Sequence, residues 1–117
     1  MKAFPQFMKN PANKVAEASQ YTRGIEGYIW DGVDGSQVAI FISPKSGQSA
    51  IHTHTYDEYM LIVEGRYTLL IEGKRISLRP GDEYLIPAGV PHGGEVVAGT
   101  RVIDAFGGKR AKRVGEA

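Results

Sequence analysis

The stretch Gly47-Gln-Ser-Ala-Ile-His52-Thr-His54-Thr-Tyr-Asp-Glu58 decides the reading of this chain, because it holds two of the three histidines in the sequence. Successive side chains of a strand turn to opposite faces, so His52 and His54 point the same way. Glu58 shares that parity if the strand resumes after a short turn. Imidazole nitrogen and carboxylate oxygen are ligands that first-row divalent metals accept, and one alone does not hold an ion against water. The third histidine closes a second segment, Gly81-Asp-Glu-Tyr-Leu-Ile-Pro87-Ala-Gly89-Val-Pro91-His92. There a stiff, sharply bent Pro/Gly turn fixes the direction of the side chain. An isolated histidine is ordinarily a surface or satisfied core residue. With no histidine outside these two segments, His52, His54, Glu58 and His92 are the expected ligands of one metal site.

Outward from this stretch the chain reads as short strands. Ile25 to Trp30 and Gln37 to Ser43 flank a turn rich in glycine and aspartate, and further strands are expected at Ile51 to His54, Glu58 to Glu64, Arg66 to Ile71, Lys74 to Leu78, Glu83 to Ile86, Gly94 to Val97 and Thr100 to Phe106. Many short strands punctuated by turns argue for a β-sandwich or barrel. Asn10-Pro11 before an alanine-rich run resembles a capped helix start, so a short helix is expected over residues 11 to 19. Parity places Met60 and Ile62 on the Glu58 side, either as an apolar wall beside the metal or as core. It also puts Val102, Asp104 and Phe106 on one face of the last strand. Asp104 is conspicuous there: facing outward it pairs with an arginine, the first expectation, and facing inward it is an acid/base group.

These segments resemble the two motifs of the cupin family. His52, His54, Glu58 and Gly65 stand in the places of the first motif, and Gly81, Pro87, Gly89 and His92 in those of the second. Two departures leave the ligands intact: four residues rather than five separate Gly47 from His52, and Val96 stands where an asparagine often closes the second motif. The resemblance covers Gly47 to Val96. It implies an all-β, double-stranded β-helix (jelly-roll) barrel, a homodimer, and a metal-dependent function in which the four ligands leave positions open for water or substrate.

At 117 residues the chain has room for one such barrel. The expected organisation is an N-terminal segment 1–24 with the short helix, a barrel over 25–107, and a basic tail 108–117 carrying Lys109, Arg110, Lys112 and Arg113, read as solvated and mobile. With no cysteine, disulfides, thiolate ligands and thiol nucleophiles are excluded. A net charge of +1 gives no global field for nucleic acid or anionic lipid. The apolar runs are strand-sized, and the first residues lack the pattern of a signal peptide, so a cytoplasmic protein with neither nucleic-acid nor membrane partners is expected.

The function expected from these residues and the resemblance is that of an enzyme using one divalent transition metal (Mn, Fe, Co, Ni, Cu or Zn) on a small oxygenated molecule, in a dioxygenase, isomerase or decarboxylase type of reaction. Tyr56, Tyr84 and Asp104 are the candidates for proton transfer. A non-catalytic module that binds or senses a small molecule, and a purely structural metal, are the alternatives.

Overall fold

A computed structural model describes residues 2–116; Met1 and Ala117, the outermost residues of the two flanking segments, lie outside it. Nine strands follow in order: β1 (Glu26–Asp31), β2 (Gln37–Ser43), β3 (Gly47–Gln48), β4 (Glu58–Glu64), β5 (Tyr67–Ile71), β6 (Lys74–Leu78), β7 (Glu83–Ile86), β8 (His92–Val96) and β9 (Thr100–Phe106). They form two antiparallel sheets, β1-β2-β9-β4-β7 and β3-β8-β5-β6. The chain is therefore the all-β jelly-roll barrel that the motifs imply.

The inner faces supply the core. Ile29, Met60, Ile62, Leu69 and Ile86 are each at most 1 % exposed, and full burial of such a side chain contributes about 1.5–3 kcal/mol. Met60 and Ile62 belong to this core and not to the wall of the cavity described below. The outer face of the five-stranded sheet is apolar as well: Phe4 from the N-terminal segment packs there with Tyr28 and Ile40.

Two glycines let the backbones meet. Gly65 has φ +83 and lies against Thr100, so a side chain would be strained and would collide. Gly94 faces the phenol of Tyr67, which fills the place a Cβ would take.

Three expectations are corrected. The helix over 11–19 is replaced by 3₁₀ turns at Pro11–Asn13 and Glu17–Ser19, with another before it at Gln6–Lys9. The local start forms as read, with Asn10 Oδ1 accepting from the Ala12 N–H at 2.9 Å. It cannot propagate, because the Val15 N–H is taken by Gly27 O at 2.8 Å and the Ala16 N–H by Lys112 O at 2.8 Å. The strand over 51–54 is replaced by a single bridge between His52 and His92, and the short strand β3 precedes it at Gly47–Gln48.

The basic tail is docked against the barrel in part, while Lys109 and Lys112 stay exposed. Ala111 is buried, and Gln37 Oε1 accepts from the backbone N–H groups of Arg110 at 2.6 Å and Ala111 at 3.1 Å. Arg113 donates to Ile29 O and Asp31 Oδ2, both at 2.8 Å. Among the described residues no helix is long and apolar enough to cross a membrane.

Candidate metal centre

The two segments that carry the histidines are stitched together by backbone. His52 and His92 exchange both N–H···O bonds, at 2.8 and 2.9 Å, and the Gly89 N–H donates to His54 O at 2.8 Å. Asp57 Oδ1 accepts from the Ala88 N–H at 2.8 Å, which anchors the Pro87-Gly89 turn. The irregular stretch 53–57 then leads into β4, whose first residue, Glu58, lies between Ile86 of β7 and Phe106 of β9.

These constraints gather His52, His54 and His92 so that their available nitrogens all lie within 4.8 Å of one another. Glu58 Oε1 stands 3.3 Å from His54 Nε2 and 3.4 Å from His92 Nε2. All four residues predicted as ligands thus converge, although the strand that parity assumed for His52 and His54 is not formed.

The donor set fits a divalent metal on independent grounds. His52 Nδ1 contacts Ala50 O at 2.7 Å and His92 Nδ1 contacts Val90 O at 2.9 Å. A carbonyl only accepts, so each Nδ1 carries the proton and each Nε2 presents a lone pair to the centre. The third ring is held by Tyr56, whose hydroxyl lies 3.1 Å from His54 Nδ1. The Nε2 atoms of His54 and His92 are buried without a hydrogen-bond partner. Buried polar atoms are almost always satisfied, and backbone acceptors on the outer nitrogen are the usual support for ligating imidazoles.

The electrostatics agree at Glu58 and His52. Burial raises the Glu58 carboxyl, but the imidazoles of His54 and His92 outweigh it and hold the group down at about 2, so it stays anionic. Burial lowers His52, favouring the neutral ligand form. For His92 burial also acts downward, but its contacts with Glu58 and Val90 prevail and raise it.

A cavity of about 70 Å³ opens onto this cluster, reached by His52, Glu58 and His92. Asp104 lines it too, which corrects the expectation that this residue faces outward to an arginine. The carboxyl is 5 % exposed, Oδ1 has no partner, and burial first, with the nearby Glu58 charge second, pushes it well above the usual carboxylate range. Tyr56 is not among the lining residues: its ring stacks on His54 with centroids 4.8 Å apart, and burial pushes its phenol up to about 12. Tyr84 sits opposite Met60 on β7, packed against the core and outside the lining.

The cavity also receives side chains that were not singled out from the sequence. Tyr67 comes from β5, and the alternation Tyr67, Leu69, Ile71 pointed inward, so parity carried the signal. Tyr21 from the N-terminal segment and Arg110 from the C-terminal segment also line it, and no local pattern marks either.

Comparison with known proteins follows the architecture. No curated protein matches the chain. Among solved structures it is similar to an RmlC-like cupin from Shewanella frigidimarina (23 % identity, 71 % of this chain and 75 % of that one, TM-score 0.65). It is also similar to KdgF from a Halomonas species (21 % identity, 79 % and 89 %, TM-score 0.65). A third is the polyketide cyclase RemF from Streptomyces resistomycificus (18 % identity, 95 % and 81 %, TM-score 0.71). The family model of the cupin domain matches residues 39–106, which contain all four converging residues and Asp104, and the chain belongs to the cupin family.

Proposed function

We propose that this protein is a metal-dependent enzyme that moves a proton on a small oxygenated molecule, in an isomerase- or decarboxylase-type reaction with Asp104 as the acid/base group. The observation that carries the reading is that Asp104, buried with an unpartnered oxygen, lines the same cavity as His52, Glu58 and His92. A buried carboxyl whose pKa is raised keeps its proton to higher pH than an exposed one and is suited to donate to substrate and then recover the proton. A dioxygenase-type reaction does not require such a group, which places it second.

Held by His52, His54, Glu58 and His92, a divalent ion would polarise a carbonyl or carboxylate of the substrate or acidify a water. The chain does the rest. Tyr56 orients His54, Glu58 supplies the anionic ligand, and Phe41, Val102 and Phe106 give the cavity apolar walls. That one structural neighbour is a polyketide cyclase supports the view that a barrel of this shape can carry catalysis.

The test is metal analysis of the purified protein, followed by product formation on a panel of hydroxy acids, keto acids and sugars. His52→Ala is expected to lose stoichiometric metal with the barrel intact, and Asp104→Asn to keep metal but lose turnover. Tight ligand binding with no turnover at any metal loading would overturn the enzyme reading and leave a binding or sensing module.

We also propose a cytoplasmic homodimer. Val38 and Leu85, on the apolar outer face of the five-stranded sheet, are 46 % and 58 % exposed, which supports pairing through that face. Light scattering that gives the mass of one chain would refute the dimer, and cell fractionation tests the compartment.

A further inference from the structure

We infer that the substrate is a small organic acid whose carboxylate is held by Arg110 while its oxygenated end meets the histidine cluster, with Tyr21 as the wall between the two ends. The inference rests on the metal-site reading above and adds the substrate class.

Arg110 reaches the cavity although it lies beyond the last strand. Gln37 pins its backbone N–H, and the side chain is directed inward, where the guanidinium carbon lies 4.5 Å from the centroid of Tyr21, 5.6 Å from that of Phe41 and 5.7 Å from that of Phe106. Nη1 donates to Ser19 O at 2.5 Å. The head group is therefore held in place by rings and one carbonyl, and most of its five N–H donors remain for a ligand.

What distinguishes Arg110 is its missing counter-ion. Arg75 pairs with Glu95, Arg101 with Glu64, and Arg113 with Asp31, while Arg23, Arg66 and Arg79 are exposed to solvent. Among the described residues no carboxylate lies within ion-pair distance of Arg110, half-buried as it is. The acids that share its cavity form no ion pair with it: Glu58 is engaged by His54 and His92, and at Asp104 burial and the Glu58 charge outweigh the pull of Arg110 toward the anion. A guanidinium set among aromatic rings without an acid matches a bidentate carboxylate arriving from solution.

Tyr21 joins the two ends. Its ring also stacks on His52, with centroids 3.8 Å apart and planes at 5°, and meets His54 edge-on at 5.8 Å. The guanidinium, the phenol and the imidazole thus adjoin along the cavity, and the residue that sets the distance from anchor to metal ligand comes from the N-terminal segment. The acid should be short, with a hydroxyl or carbonyl at one end and a carboxylate at the other.

Calorimetric titration with matched pairs tests this. L-malate is set against 2-hydroxybutyrate and 2-hydroxyglutarate against 2-hydroxyvalerate, so that each pair differs in a distal carboxylate or methyl. With zinc-loaded protein, at least one dicarboxylate is expected to bind at least about tenfold more tightly than its partner. Arg110→Gln should bring that ratio to near one by weakening the dicarboxylate. Arg110→Lys, which keeps the charge but loses the fork, should fall between and serves if the glutamine variant does not fold.

Equal affinities within both pairs in the parent protein, or a ratio that survives in Arg110→Gln, would overturn the anchor while leaving the metal site standing. Elemental analysis of the same samples separates the other failure. A chain that holds no zinc and binds none of the acids refutes the metal reading, and this inference falls with it.

Discussion

Tyr21 lies flat against His52, with ring centroids 3.8 Å apart and planes within 5° of parallel. The two residues come from opposite sides of the first sheet's leading strands in sequence, one from a segment before β1 and one from the loop after β3. A ligand ring in a metal site is usually steadied by a hydrogen bond on its outer nitrogen, and His52 has that from Ala50 O as well. The stack is a second restraint on the most accessible of the three imidazoles.

Tyr21→Ala should therefore loosen His52 and lower metal affinity by about tenfold, within the range seen when supports of a ligand are removed. Tyr21→Phe keeps the ring and should bind metal like the parent. Competition with a chelating dye reads both variants, and equal losses in the two would assign the effect to the hydroxyl and not to stacking.

Tyr56→Phe removes the oxygen beside His54 Nδ1 while keeping the ring that stacks on the imidazole. For Nε2 to present a lone pair, Nδ1–H must donate to that oxygen, so its loss should cost about 10–100-fold in metal affinity. Thermal unfolding of the metal-free protein should change little. Unaltered metal affinity would show that the hydroxyl plays no part in orienting His54.

The pKa of Asp104 makes a prediction about stability. A carboxyl raised in the folded state keeps its proton where the unfolded chain has lost its own, so stability falls as pH climbs from about 4 toward the folded pKa. Asp104→Asn removes this dependence. Relative to the parent, the variant should gain nothing from it near pH 4 and progressively more above, about 1.4 kcal/mol for each unit of pH until the folded pKa is reached. Urea unfolding of chelator-treated protein at pH 4, 6 and 8 measures it; a difference that does not vary with pH would show that Asp104 ionises like an exposed carboxyl.

Metal affinity should depend on pH through the histidines and not through Glu58. That carboxylate, held at about 2, stays ionised through the mildly acidic range. Protonation of His92, whose pKa is raised by its contacts with Glu58 and Val90, competes with metal, so affinity should fall from pH 7 to pH 5. Glu58→Gln should weaken binding at every pH in that interval. Chelator competition across the interval checks this, and a flat profile would remove His92 from the ligand set.

How far the site could be read from the sequence differs from residue to residue. His52, His54, Glu58 and His92 were legible because each sits in a short segment whose spacing and turns constrain it locally. The helix was misread for a comparable reason: Asn10 and Pro11 do start a turn, but Val15 and Ala16 give their N–H groups to Gly27 and Lys112, partners far away in sequence.

Asp104 is the instructive case. Alternation correctly grouped it with Val102 and Phe106, yet the opposite face carries Ile103 and Ala105 and is apolar too. Both faces of this sheet are covered, the inner by the second sheet and the outer in part by Phe4, so hydrophobicity could not say which face was inside. For Met60 and Ile62 parity gave the inner face correctly and left wall or core open, which the packing decides as core.

The sequence by itself determined most of the strands, the barrel and the four side chains that converge, because hydrophobic alternation, glycine and proline turns and donor chemistry act over a few residues. Only the tertiary structure decided what faces those ligands. Tyr21 and Arg110 are 89 residues apart in the chain, and they meet beside His52 because Gln37 and the N-terminal segment dock the C-terminal residues against the barrel. Contacts of that kind follow from the packing of the whole chain, which no short window of sequence records.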